Sequence, residues 1–277
     1  MYASNMMLNP LKEKHLEKIP SLEADLITLN LEDAIAPSRK KEALENIISF
    51  LKQNLAVNKK IVVRVNSLEE GGIEEIKALN PFNFLAIRVA KVNKKSQIEQ
   101  ALGLIKEDKE LHISLETKEA FYNIRDWRVS KRFTTANLGI LDLLNSLNLP
   151  QSLVQLHNPT IEYILAKFLL DCKSVGLYPF SFMYQDYENL DEFRTWCEKE
   201  KLMGFSGKAC MGPKQVAIAN EVFKKSTQEI QRAKEIKEFF EKYAKKGENG
   251  VMHEKYGFID EPIYKDALLI LKEDNRL

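Results

Sequence analysis

The chain is expected to fold as an α/β protein, a (β/α)8 barrel followed by a C-terminal helical extension. Three observations point there. Eight short apolar runs alternate with helix-like segments along the first three quarters of the chain. Such alternation is the pattern of parallel strands joined by crossover helices. The length, 277 residues, suits one large α/β domain with an appendage, since barrels take about 250 residues. Finally, six runs carry a charge at or near their ends: Glu32-Asp33 after 26–31, Arg64 within 61–65, Lys91 after 85–90, Glu116 after 111–115, Asp142 after 136–141 and Lys208 after 203–207. The carboxyl ends of barrel strands open onto one face, where active sites lie. A doubly wound open sheet is the competing fold, but the glycine-rich phosphate turn that usually follows its first strand is absent.

In order, 5–8 reads as a short first strand, 11–22 as a helix and 26–31 as the second strand. Pro37 starts a helix over 38–54, with Ala43, Leu44, Ile47, Ile48 and Leu51 at helical spacing. The β-branched run 61–66 is a buried strand. Gly71-Gly72 break the chain before a helix at 73–79. Strands at 85–90, 111–115 and 134–140 then alternate with helices at 97–108 and 120–129. The helix 161–175 ends at Gly176, a suitable C-cap. A strand at 179–184, a helix at 191–201 and a strand at 204–209 complete the barrel. The barrel domain is placed at 1–213 and the extension at 214–277. The extension comprises helices at 214–223 and 226–246, a polar hinge at 245–250, the segment 256–261 and a closing helix at 263–272. It reads as a lid on the barrel or on a neighbouring subunit.

Composition narrows the function classes. Hydrophobic residues make up 44% of the chain, enough for a full core. The 41 basic and 40 acidic residues leave a net charge of +1, which speaks against a nucleic-acid partner. The three cysteines, Cys172, Cys197 and Cys210, lack metal-ligand spacing and read as free thiols of a reducing compartment. The four histidines are scattered, with no close pair for zinc. No signal peptide and no span of about 20 apolar residues is visible, so a cytoplasmic protein without membrane attachment is expected.

Glu116 and Asp142 follow consecutive strands in this reading. Neighbouring strands lie about 4.8 Å apart. Two carboxylates there suit one hard cation, and Mg²⁺ prefers one or two carboxylates plus water and substrate oxygens. Ordinary loop carboxylates capping the next helices fit the same positions. Arg64 interrupts an apolar strand, and a buried guanidinium requires a partner. That partner is either a substrate carboxylate, which its fork suits, or Glu32, Asp33 or Glu116. Of the adjacent acids Glu32 and Asp33, one can face the pocket while the other caps a helix. Lys91 and Lys208 add positive charge at the same rim, and Lys208 is a candidate substrate-binding residue.

These residues carry a family resemblance. Leu29-Asn30-Leu31-Glu32-Asp33-Ala34-Ile35-Ala36-Pro37 resembles the LDLEDAVAP signature of the citrate lyase β-subunit-like group, within the HpcH/HpaI aldolase superfamily. Val63-Arg64-Val65-Asn66 is similar to its VRVN strand and Leu115-Glu116-Thr117 to its IET strand. Gly139-Ile140-Leu141-Asp142 resembles its FGxxD motif, and 204–208 and 213–216 resemble GFxGK and HPxQI. Gly257-Phe258-Ile259-Asp260 with Pro262 looks like the lid segment. The seven motifs occur in order and cover essentially the whole chain.

The resemblance implies a trimeric or hexameric barrel enzyme that uses Mg²⁺ and acts reversibly on malyl-, citramalyl- or citryl-type thioesters of CoA or an acyl carrier. The products are an α-keto acid and an acyl thioester. It implies that Glu116 and Asp142 hold the metal and that Arg64 binds the keto-acid carboxylate. Glu32 and Asp33 would support metal-bound water and Arg64, and Asp260 would move the proton, from a neighbouring subunit. The chain departs from the family pattern at several points. Gly212 replaces the usual His, Ala90 a Pro, Lys167 an Arg and Ser181 an Asp, and Tyr2-Ala3-Ser4 stand where an arginine is usual. These changes keep two alternatives open: a thioester hydrolase on the same scaffold, and a keto-acid-binding subunit without turnover of its own.

Overall fold

The computed structural model describes residues 2–53 and 58–274; position 54, the expected end of one helix, lies outside them. The chain divides into two compact units, Ala3–Phe223 and a C-terminal unit from Lys224 onward. The first contains, in order, β1 (Ser4–Leu8), α1 (Glu13–Glu17), β2 (Leu26–Asn30), α2 (Lys40–Lys52), β3 (Lys60–Val65), α3 (Gly72–Leu79), β4 (Ala86–Val89) and α4 (Lys95–Leu104). It continues with β5 (Glu110–Leu115), α5 (Lys118–Trp127), β6 (Phe133–Leu138), α6 (Ile140–Ser146), α7 (Pro159–Ser174), β7 (Tyr178–Phe180), α8 (Leu190–Met203), β8 (Lys208–Cys210) and α9 (Pro213–Phe223).

The eight strands pair in parallel in the order β7-β6-β5-β4-β3-β2-β1-β8. Ser181, just past β7, bridges to Lys208 and brings the two edges together. The Ser181 N–H donates to the Gly207 carbonyl at 3.4 Å, and the Ala209 N–H to the Ser181 carbonyl at 3.3 Å. The expected (β/α)8 barrel is therefore the observed one. Side chains alternate across each strand, and the two faces differ. Ile27, Leu29 and Leu31, Val63 and Val65, Ile87 and Val89, and Ile113 and Leu115 face outward into one apolar core shared with the helices. The inward set is largely polar: Asn5, Thr28, Asn30, Arg64, Arg88, His112, Ser114 and Asn137 are all buried. Asn5 of β1 donates to Asn137 of β6 at 3.1 Å. These strands are not neighbours in the sheet, so the bond crosses the lumen.

Helix ends follow local chemistry. Asn158 caps α7, accepting from the Thr160 and Ile161 N–H groups at 3.0 and 3.3 Å, with Pro159 at the first helical position. Gly204 ends α8 at φ +106°, a conformation glycine adopts without a Cβ clash.

The expected helix 97–108 ends at Leu104 and the expected strand 179–184 at Phe180, and four further boundaries differ from expectation. The 11–22 helix stops at Glu17, and Pro20 sits in a short 3₁₀ turn because it has no N–H to continue an α-helix. The sixth strand ends at Leu138, and Asp142 lies in the first turn of α6 rather than at a strand end. The 203–207 run is not a strand: Met203 closes α8, and β8 begins at Lys208. The first unit runs to Phe223 rather than 213, because α9 is the barrel's eighth helix and packs on β1, β8 and α8.

The C-terminal unit holds α10 (Thr227–Ala244), the antiparallel hairpin β9 (Gly250–His253) and β10 (Gly257–Asp260), and α11 (Glu261–Asp274). Ala233, Ile236, Ile259 and Ala267 form its own small core. Ser226 and Glu229 cap α10 reciprocally at 3.1 and 2.8 Å. Among the described residues, no helix is long and apolar enough to cross a membrane.

Candidate active site

A cavity of about 420 Å³ opens within the barrel unit, lined among others by Asn30, Asp33, Arg64, Arg88, Glu116 and Asp142. Every lining residue lies between Met7 and Met211. Distant strand ends thus converge on one space.

Arg64 is held from β2. Its Nε donates to Asn30 Oδ1 at 2.7 Å, and its Nη2 lies 3.0 Å from Glu32 Oε2. Glu32 also pairs with the Lys91 ammonium at 2.8 Å and accepts from the Asp33 N–H at 2.6 Å. Burial raises its proton affinity, but Arg64, Asp33 and Lys91 together reverse this and hold the carboxyl at about 2. Asp33 is half exposed, and burial together with the neighbouring Glu32 raises its carboxyl. Glu32 is therefore an anion under ordinary conditions and fixes Arg64 in place.

Glu116 directly follows β5 and is almost fully buried. Burial pushes its carboxyl up to about 7; Glu32 adds to this, while Arg64, Arg88 and the Lys91 amide oppose it. The Lys91 N–H donates to Glu116 Oε1 at 2.6 Å. It is positioned by a left-handed backbone at Lys91, φ +52°, uncommon for a side-chain-bearing residue and typical of functional sites. Gly139 packs against the other side of Glu116. A Cβ there would stand 2.7 Å from Oε2 and 2.8 Å from the Glu116 Cβ, so this contact requires glycine. Three residues on, Asp142 lines the same cavity.

The donor set suits a hard divalent cation. Glu116 and Asp142 line the cavity beside the half-exposed Asp33, and burial raises the Glu116 carboxyl above the usual range, a cost that a bound cation would offset. No group of three or more His, Cys, Asp or Glu side chains able to hold a metal occurs among the described residues.

Lys208 is a correction. It begins β8, and its side chain faces outward, fully buried, with Nζ 2.6 Å from the equally buried Glu200 of α8. The Phe182 ring lies 3.9 Å from Nζ. Lys208 is absent from the cavity wall, because the expected strand was placed one helix end too early. Gly212, where the resemblance leads one to expect histidine, has the Tyr187 ring in its side-chain space, 2.6 Å from an added Cβ. Lys167 joins α7 to α5 through the Phe121 carbonyl at 3.0 Å and also pairs with Asp171. Asp260 belongs to the C-terminal unit, where it ends β10 and accepts from the Ile263 N–H at 3.3 Å.

Arg88 is a charged residue of the cavity wall that sequence reading did not single out. It lies in register beside Arg64 and lines the cavity. The signal was present: it interrupts the apolar run 85–90 as Arg64 interrupts 61–65.

Residues 4–213 match the sequence pattern of the HpcH/HpaI aldolase/citrate lyase family. The chain belongs to that family. It is accordingly an enzyme of a carbon–carbon lyase family. A (3S)-malyl-CoA thioesterase of Cereibacter sphaeroides is 30% identical over 238 residues, covering 86% of this chain and 82% of the relative. An L-malyl-CoA/beta-methylmalyl-CoA lyase of Rhodobacter capsulatus is 27% identical over 286 residues, covering 93% and 89%. Family folds agree. A citrate lyase from Burkholderia xenovorans superposes with a TM-score of 0.86 at 13% identity, over 100% of this chain and 92% of the other. Protein CitE from Mycobacterium tuberculosis, in complex with magnesium, acetoacetate and coenzyme A, superposes at 0.76 and 16% identity, over 98% and 97%.

Proposed function

We propose that this protein is a Mg²⁺-dependent lyase that cleaves a malyl-, citramalyl- or citryl-type thioester into an α-keto acid and an acyl thioester. The observation that carries the reading is the convergence of Glu116, Asp142 and Arg64 on one cavity. Glu116 and Asp142 would hold the metal, which when bound supplies Lewis acidity toward the oxygens of the oxo acid. Arg64 binds the carboxylate of the same fragment, and Glu32 keeps the guanidinium oriented. The Lys91 N–H holds the Glu116 carboxylate in place. In cleavage, the substrate hydroxyl loses its proton as its carbon becomes the keto carbon. The adjacent C–C bond breaks, its electron pair passes to the thioester α-carbon, and that carbon takes up a proton. Asp260 is the proposed proton carrier, reaching the site from a neighbouring subunit of a homotrimer or hexamer.

Calorimetry tests the reading. Mg²⁺-dependent binding of pyruvate, glyoxylate or oxaloacetate is expected, and loss of that binding in Glu116→Ala. Wild-type behaviour of Glu116→Ala overturns it. Asp260→Asn is expected to stop turnover and keep keto-acid binding. The relative named as a thioesterase supports a second reading, in which the thioester is hydrolysed. Product analysis separates the two, because free CoA without acyl-CoA marks hydrolysis.

A further inference from the structure

The barrel lumen holds two guanidinium groups in unlike company. Arg64 has a carboxylate, Glu32, at 3.0 Å and Asn30 at 2.7 Å. Arg88, its in-register neighbour on β4, is only 5% exposed. Its Nε donates to Ser114 Oγ at 2.8 Å. No carboxylate of the described residues lies within ion-pair distance of it. Yet a guanidinium carries five N–H donors and keeps its charge in proteins, and Arg88 lines the same cavity as Glu116 and Arg64. A buried cation without an anion is costly, and a second cation beside it raises that cost. Both costs fall if the ligand brings the missing negative charge.

We propose that Arg88 is a specificity-determining residue that binds a second carboxylate, so that the oxo acid taken by this site is a dicarboxylate. The inference rests on the keto-acid reading above and deepens it. One carboxylate on Arg64 leaves Arg88 unmatched, whereas a dicarboxylate supplies an anion to each. Adjacent strands are about 4.8 Å apart, a spacing of the same order as that between the two carboxyl groups of a four-carbon acid. Ser114 holds the guanidinium through Nε, and the two Nη groups are the pair that takes a carboxylate bidentately. Monocarboxylates such as pyruvate and glyoxylate are then the poorer ligands, because they leave a buried donor set unpaired.

The test is titration of the full chain, with Mg²⁺ present, with freshly dissolved oxaloacetate, pyruvate and glyoxylate. Oxaloacetate is expected to bind more tightly by roughly ten- to a hundredfold, the range for a hydrogen bond to a charged group. Arg88→Gln should weaken oxaloacetate by a similar factor and change pyruvate far less. Arg88→Lys, which keeps the charge, should retain part of the preference, and thermal melts establish that each variant folds. Equal wild-type affinities for the three acids overturn the inference and leave the keto-acid reading intact. So does an Arg88→Gln variant that weakens all three alike. If none of the acids binds, the keto-acid reading falls and the inference falls with it.

Discussion

Two groups of buried charges sit on opposite faces of the same sheet. On the lumen side, Arg64, Glu32, Lys91 and Glu116 form a connected set that borders an open cavity. On the outer side, Lys208 and Glu200 form a closed pair against Phe182, with both side chains fully buried. Both groups look alike in sequence, as charges next to apolar runs. They differ in whether the charges are matched within the protein. In the outer pair each charge faces its opposite at 2.6 Å, away from the cavity. The lumen set leaves Arg88 without an ion-pair partner and Glu116 with a carboxyl raised by burial, and that imbalance is what marks a site.

The largest expected effect that sharpens this contrast is at Gly139. Alanine there places a methyl group 2.7 Å from the Glu116 carboxylate. Glu116 must shift, and activity should fall by about a hundredfold, the scale of a misplacement near 1 Å. Near-UV circular dichroism should show the fold retained, and Mg²⁺ affinity should fall in parallel.

Next comes Lys208→Met. It leaves Glu200 as an uncompensated buried acid, and stability should drop by about 3–5 kcal/mol in denaturant titrations. Keto-acid affinity, measured where the variant is folded, should not change. A specific loss of affinity would return Lys208 to the binding site. Burial already raises the Glu200 carboxyl, and Lys208 opposes that. Without Lys208, folded Glu200 holds its proton more tightly than the unfolded chain does. The variant's deficit should therefore shrink as pH falls.

Glu32→Gln follows. Its carboxyl is held at about 2, so charged Glu32 stabilises the fold above the unfolded carboxylate range. That stabilisation is lost as pH falls through the folded value. The variant should lose about 2 kcal/mol at neutral pH, with partial burial discounted, and this deficit should vanish as pH falls through the folded value of about 2, as measured by acid titration of stability. The smallest effect is expected for Ser226→Ala, which removes one cap of α10 and costs about 1 kcal/mol. It should lower the melting point of the C-terminal unit and leave keto-acid affinity unchanged.

Much of the barrel was legible because its outer strand faces and its helices each carry one apolar pattern. Ile27-Leu29-Leu31 and Val63-Val65 alternate cleanly, and Pro159 and Gly176 mark the ends of α7. Boundary errors arose where one apolar run serves two elements. Met203 belongs to a helix and Phe205 to a loop, yet 203–207 reads as continuous, which moved Lys208 to the wrong end of its strand. Ile140 and Leu141 are apolar because α6 buries them, so they extended β6 on paper and hid the helix that carries Asp142. Arg64 was readable because it breaks an apolar strand, and Glu116 because it follows one directly. Arg88 breaks one too, but attention to strand ends passed over it. The hairpin of β9 and β10 was half missed, because Gly250 and His253 give β9 no apolar alternation.

The hydrogen bond between Asn5 and Asn137 spans the lumen. Most barrels fill that space with branched aliphatic side chains; here amides, hydroxyls and guanidinium groups fill it. Cohesion of the strands then depends on the apolar layer outside, while the interior is left to chemistry. Such a division makes the interior replaceable. A lineage can exchange the polar side chains of the lumen, and with them the acid it accepts, without disturbing the contacts that keep the sheet closed.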